Sequence, residues 1–113
     1  ELCERVNSVV EMVGGETEIE GAYPAWEYRK DSDLRMQIAK VYEELYHTEP
    51  VFETIHAGLE CGLFLEKYPG MDMISFGPTL RGVHSPDEKV DIETVGKWWK
   101  HLVDILERLT KEA

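Results

Sequence analysis

Leu2, Val6, Val9, Val10 and Val13 recur at the three- and four-residue spacing that lines side chains along one helix face, and Gly14 and Gly15 follow as a helix-ending pair. A helix is predicted there. Residues 16–20 alternate polar and β-branched side chains before Gly21, which predicts a short strand with one charged face. Pro24 then breaks the pattern, because its ring fixes φ and removes a donor, while Tyr23, Trp26 and Tyr28 offer a large packing area. This stretch reads as a crossing between structural units. Asp31, Ser32 and Asp33 offer N-caps for a helix with apolar positions Leu34, Ile38, Val41, Tyr42 and Leu45, expected to close at Glu49 and Pro50.

Residues 51–55 and 71–76 are rich in apolar, β-branched and aromatic side chains, and both read as strands. A short helix over 59–67, stopped by Pro69 and Gly70, separates them, so the three form a βαβ unit with an expected parallel pairing. Sites in such sheets lie beyond the carboxyl ends of the strands. Residues 56–60 and 77–84 fall at those ends. Ser85, Pro86 and Glu88 match a capping box with proline at the first helical position, yet Val90, Asp91 and Ile92 favour a long helix that starts after Asp91. Its apolar stripe of Val95, Trp98, Trp99, Leu102, Ile105, Leu106 and Leu109 is expected to lie against the sheet, with both tryptophans in the core.

Composition narrows the function. With 23 acidic against 12 basic side chains among 113 residues, the net charge is −11, which repels phosphate backbones and anionic membranes. No nucleic-acid or membrane partner is expected. Cys3 and Cys61 lie far apart without metal-ribbon spacing, in keeping with a reducing cytoplasm. No apolar run reaches the length of a bilayer span. The length suits one modest domain, but the chain opens in helical periodicity without an initiator Met, and this is read as a piece of a longer protein.

His84 is the first candidate for chemistry. It sits in the turn-rich stretch Gly77-Pro78-Thr79-Leu80-Arg81-Gly82-Val83-His84, where site residues occur more often than packing residues. On the residues alone two readings stand, a metal ligand or a turn histidine bonded to backbone. His47 ends a surface helix, His101 lies within the last helix and His56 leaves a strand, so none of them completes a metal site by spacing. Glu60 lies between Gly58 and Gly62, where small neighbours permit close approach to the backbone; the alternative is an exposed carboxylate favoured by the helix dipole. Arg81 could meet a substrate carboxylate or be a plain surface arginine, and Asp87 and Glu88 read as polar turn residues.

Tyr23-Pro24-Ala25-Trp26, His56-Ala57-Gly58-Leu59-Glu60-Cys61-Gly62, Gly77-Pro78-Thr79-Leu80 and Pro86-Asp87-Glu88-Lys89-Val90 together resemble the C-terminal part of aminoacyl-histidine dipeptidases, also called Xaa-His or cytosol non-specific dipeptidases. The resemblance runs over nearly the whole chain. It implies an α/β fold in which residues 23–113 are the C-terminal portion of a zinc-peptidase catalytic domain, with helices on a small, mostly parallel sheet. Residues 1–22 would then be the last helix and strand of a lid or dimerisation domain. It further implies His84 as one metal ligand, Glu60 as acceptor of the amino group of a dipeptide, and Gly77 and Thr79 as lining of the substrate pocket. Cys61 and Leu63 depart from the glycine and serine of the carnosinase-like branch. In this family two zinc ions polarise the scissile carbonyl and activate a bridging water, with a glutamate as general base. The remaining ligands come from an HxD-type motif, a Glu-Glu pair and a further acidic residue, none of which is found in this chain. The implied partners are the dipeptide substrate and the rest of the catalytic domain, with a homodimer through the lid left open. The isolated chain is expected to be inactive. The rival reading is a self-contained α/β module that binds a peptide without catalysis.

Overall fold

The computed structural model describes residues 1–55 and 57–112. In chain order these form α1 (Leu2–Met12), α2 (Asp33–Tyr46), α3 (Glu60–Lys67), β1 (Leu80–Arg81), β2 (Lys89–Val90) and α4 (Ile92–Glu112). None of the described helices is long and apolar enough to cross a membrane.

The start of α2 is set by its cap and by a distant carboxylate. Ser32 keeps extended backbone angles and its Oγ accepts the Arg35 N–H at 3.1 Å, as an N-cap does. The Ser32 hydroxyl in turn donates to Asp72 at 2.6 Å, and the Leu34 N–H donates to the second Asp72 oxygen at 3.1 Å. Two otherwise orphaned N–H groups of the first turn are thereby satisfied, Arg35 by Ser32 and Leu34 by a residue 38 positions away. Burial works against the Asp72 carboxylate. The hydrogen bonds from Ser32 and Leu34, with Arg29 and Arg35 nearby, outweigh it and hold the carboxyl below its ordinary value of 3.8. At the other end α2 stops at Tyr46, earlier than the Glu49-Pro50 stop read from sequence, because His47 adopts left-handed angles and its N–H caps Glu43.

α2 and α4 pack on each other through Ile38, Val41 and Ile105, with Leu34, Leu45, Ile74 and Leu109 at the margin. His101 of α4 belongs to this contact at 5 % exposure, and its Nε2 lies 3.0 Å from the Ile38 carbonyl, to which the ring N–H donates. The edges of Tyr42 and Phe76 close around the imidazole, each with a ring centroid at 5.3 Å. α4 starts at Ile92, after Asp91, whose carboxylate accepts the Glu93 N–H at 3.1 Å. The expected stripe of α4 is only partly a core. Trp98 is half-buried while Trp99 is 60 % exposed, because α4 lies against the narrow α2 rather than a broad sheet.

The α/β class holds, but its regular sheet is not the parallel unit. Among the described residues the only ladder is the antiparallel pair β1–β2, with Leu80 opposite Val90 and Arg81 opposite Lys89. Residues 16–20, 51–55 and 71–76 run without helix or ladder. A strand exists only through hydrogen bonds to a neighbour, and no described segment lies in register beside these three. The outline is correspondingly open. The radius of gyration is 19.3 Å, against about 13 Å for a compact domain of similar length. Leu2, Val6, Val9 and Met12 of α1 are all exposed, and this helix buries none of its residues.

Candidate functional site

His84 stands on the loop between β1 and β2, and both strands are exposed throughout. The loop holds itself by short polar links. The Ser85 hydroxyl donates to the Gly82 carbonyl at 2.6 Å, its oxygen accepts the Asp87 N–H at 3.3 Å, and the Glu88 N–H reaches the Ser85 carbonyl at 3.1 Å. Gly82 turns with φ +61°, and a Cβ there would meet the Asp87 carbonyl oxygen at 3.0 Å. His84 follows with φ 62°, a left-handed backbone that a non-glycine residue adopts at some cost. Its imidazole is solvent-exposed. The Ser85-x-x-Glu88 pattern is thus spent on the loop rather than on capping α4.

The base of the hairpin is tied to the first turn of α4. The Asp91 N–H donates to the Thr79 carbonyl at 2.9 Å and the Thr79 N–H donates to the Thr94 hydroxyl at 2.9 Å. Thr94 passes the contact on by donating to the Asp91 carbonyl at 2.7 Å. Both backbone groups of Thr79 are therefore committed to structure, which leaves its side chain as the part available to a ligand.

Gly77 and Thr79 line one groove of about 1170 Å³, together with residues 23–29, 51–55 and 71–76 and the facing sides of α2 and α4. At Gly77 a Cβ would meet nothing within 4 Å. Trp98 borders the groove with a buried Nε1–H that finds no acceptor among the described residues. Glu60 and His84 do not line it.

Glu60 opens α3, where its charge suits the helix dipole, and its side chain is exposed. The glycines beside it serve packing rather than an open approach. The Tyr23 ring covers Gly58, with a hypothetical Cβ at 3.1 Å from it, and the Pro24 carbonyl oxygen occupies the space a Cβ on Gly62 would need. Gly62 is buried accordingly. Lost hydration first, then the negative charge of Glu60 and Cys61, raise the Tyr23 hydroxyl above 10.0. Burial raises the Cys61 thiol above 9.0, so it is no activated nucleophile.

His56 lies outside the described residues. His101 is committed to the core and His47 ends α2 through its backbone N–H with its own ring exposed, so among the described residues His84 is the exposed imidazole that stands on the hairpin loop. No group of three or more His, Cys, Asp or Glu side chains converges on a metal position among the described residues. As a donor His84 fits a metal. It is exposed, on a self-braced loop, and carries no competing hydrogen bond to the described residues. As a complete site the chain does not fit, since a catalytic zinc takes about three protein ligands. Sequence reasoning missed the β1–β2 hairpin and the Thr79–Thr94 link, for which the residue pattern holds no periodic signal.

Known proteins are similar to this chain in sequence and in fold. Residues 6–108 match the profile of Peptidase family M20/M25/M40. The chain is 44% identical over 104 residues to the cytosol non-specific dipeptidase of Escherichia coli (strain K12), covering 92% of this chain and 21% of that protein. It superimposes on the crystal structure of aminoacylhistidine dipeptidase from Vibrio alginolyticus with a TM-score of 0.73 and 48% identity, over 95% of this chain and 22% of the other. It therefore spans about a fifth of the length of these relatives, both of them dipeptidases. With nearly all of its length matched at such identity, the chain belongs to peptidase family M20/M25/M40.

Proposed function

We propose that this chain is the C-terminal part of a cytosolic zinc dipeptidase that hydrolyses Xaa-His and other unblocked dipeptides, and that it supplies one metal ligand and part of the substrate pocket. The observation that carries the reading is His84, held in a left-handed conformation at the tip of a braced, exposed hairpin. Strained backbone at an exposed imidazole costs stability without serving the core, which favours a ligand role.

Residues 1–22 are read as the end of a lid domain. α1 buries nothing against the rest of the described chain, and its exposed apolar face suits packing within another unit or between two copies. Residues 23–113 are read as the catalytic portion, with its groove open toward strands contributed by the remainder of the protein. A self-contained module is disfavoured by a core of three buried apolar side chains among the described residues and by the open outline.

Bound zinc would polarise the scissile carbonyl and lower the pKa of a water. The chain's own residues bind and orient. His84 would hold the metal through an imidazole nitrogen while the hairpin fixes the ring's approach. Glu60 would accept the substrate ammonium, and Gly77 and Thr79 would face the dipeptide, the first by leaving room and the second by its hydroxyl. The general base and the other ligands come from outside the chain, so the chain alone is inactive. The test is hydrolysis of an Xaa-His dipeptide by the complete protein, with and without chelator. Chelator-sensitive turnover is expected; turnover unaffected by complete metal removal would overturn the reading.

A further inference from the structure

The hairpin that presents His84 has little to hold it. Its ladder comprises two residue pairs, both strands are fully exposed, and a two-stranded hairpin without a buried face is marginal in water. Its attachment to the folded body runs through Thr79, whose carbonyl accepts from Asp91 and whose N–H donates to the Thr94 hydroxyl. Thr94 is in the first turn of α4 and half-buried, and its hydroxyl donates onward to the Asp91 carbonyl at 2.7 Å. The hydroxyl thus ties the Thr79 end of the hairpin to the helix that packs on α2. The Asp91 end is held to it by the chain itself and by the Thr94 N–H, which donates to the same Asp91 carbonyl at 3.1 Å.

We propose that Thr94 is a positioning residue for the metal-ligating hairpin: by accepting from Thr79 and donating to Asp91 it fixes where His84 stands relative to the α2–α4 body. The proposal rests on the reading of His84 as a ligand, but its first test does not. A β-branched residue near a helix N-terminus has a bland alternative role, local capping of α4, and the two roles separate experimentally. Capping would loosen the helix and leave a ligand on the hairpin in place; positioning would loosen the hairpin and leave the helix core intact.

The experiment uses the complete protein in wild-type form and as Thr94→Val, Thr94→Ser and His84→Ala. Hydrogen exchange is first measured on metal-free protein. Thr94→Val, which keeps the shape and removes the hydroxyl, is expected to speed exchange across residues 79–91 about tenfold, the equivalent of one hydrogen bond, with Ile105 and its neighbours in α4 unchanged. Thr94→Ser should restore wild-type protection. In zinc titrations Thr94→Val should then lower affinity about tenfold, the low end of what outer supports of a metal site are worth, and Thr94→Ser should not. Exchange in residues 79–91 within twofold of wild type, or loosening centred on α4 instead, would overturn the positioning role. If His84→Ala leaves zinc affinity unchanged, the ligand reading fails, whereas the exchange result still decides whether Thr94 holds the hairpin.

Discussion

Asp72 gives a test of how the chain's architecture is joined, because one half-buried carboxylate links the N-terminus of α2 to the segment that leads into Gly77 and Thr79. Asp72→Ala removes the acceptor for the Ser32 hydroxyl and the Leu34 N–H, and Ser32 is itself only 2 % exposed. Hydrogen bonds to a charged group contribute about 1.5–3 kcal/mol, while the cap that Ser32 gives to Arg35 stays in place. Partial exposure and the water that enters the vacated site offset part of that sum. A net cost of about 2 kcal/mol is expected. Since the chain spans about a fifth of the length of the dipeptidases it matches, local opening is the appropriate readout, and about 2 kcal/mol corresponds to roughly 30-fold faster amide exchange at Leu34 and Arg35. Asp72→Asn keeps one oxygen and should cost about half as much.

The pH dependence follows from the sign of the shift. The folded-state pKa of Asp72 lies below its unfolded value of 3.8, so its contribution is fully present above that value and is lost as pH falls through the lower folded pKa. Wild type and Asp72→Asn compared at each pH should therefore differ at neutral pH and converge in strong acid. Equal exchange at Leu34 in wild type and Asp72→Ala at neutral pH would refute the claim that this carboxylate caps α2.

Other consequences are equally direct. Gly62→Ala places a methyl against the Pro24 carbonyl oxygen, and because the obstacle is backbone, α3 or residues 23–25 must move; thermal unfolding should show a loss of about 1–3 kcal/mol, and an unchanged midpoint would contradict the packing described. Glu60→Gln in the complete protein should lower kcat/KM on free dipeptides by about one order of magnitude while N-acetylated dipeptides lose much less; equal losses on both would remove the amino-group role. The isolated chain should bind zinc weakly, since one imidazole leaves the ion mostly hydrated, and calorimetry showing a tight stoichiometric site would mean that the chain carries more ligands than His84.

The helices were largely legible because their information is local. Ser32 before a 3, 4, 7 stripe, and Asp91 before Ile92, specify starts that the structure keeps. The strands were not, since 51–55 and 71–76 have the composition of strands but the ladder that makes one depends on a partner segment. β1 and β2 escaped for the opposite reason: two residues each are too short to carry a period, and the Ser85 to Glu88 motif that resembled a helix cap serves the loop instead. His101 and Trp99 show the limit of reading a face from spacing, as the imidazole is buried against a backbone carbonyl while the larger indole is exposed. At the candidate site, the position of His84 on a turn was legible, whereas its left-handed backbone goes with hydrogen bonds inside the loop and the Thr79–Thr94 link spans 15 residues, and neither leaves a periodic signal.

The most direct test of the central claim is the zinc content of the complete protein with His84 changed to alanine, measured beside turnover of an Xaa-His dipeptide on the same samples. The chain offers this imidazole from an exposed hairpin whose tip the core does not need, so His84→Ala should fold as wild type, lose affinity at one metal position and nearly abolish hydrolysis. Full zinc occupancy with wild-type turnover in that variant would contradict the account.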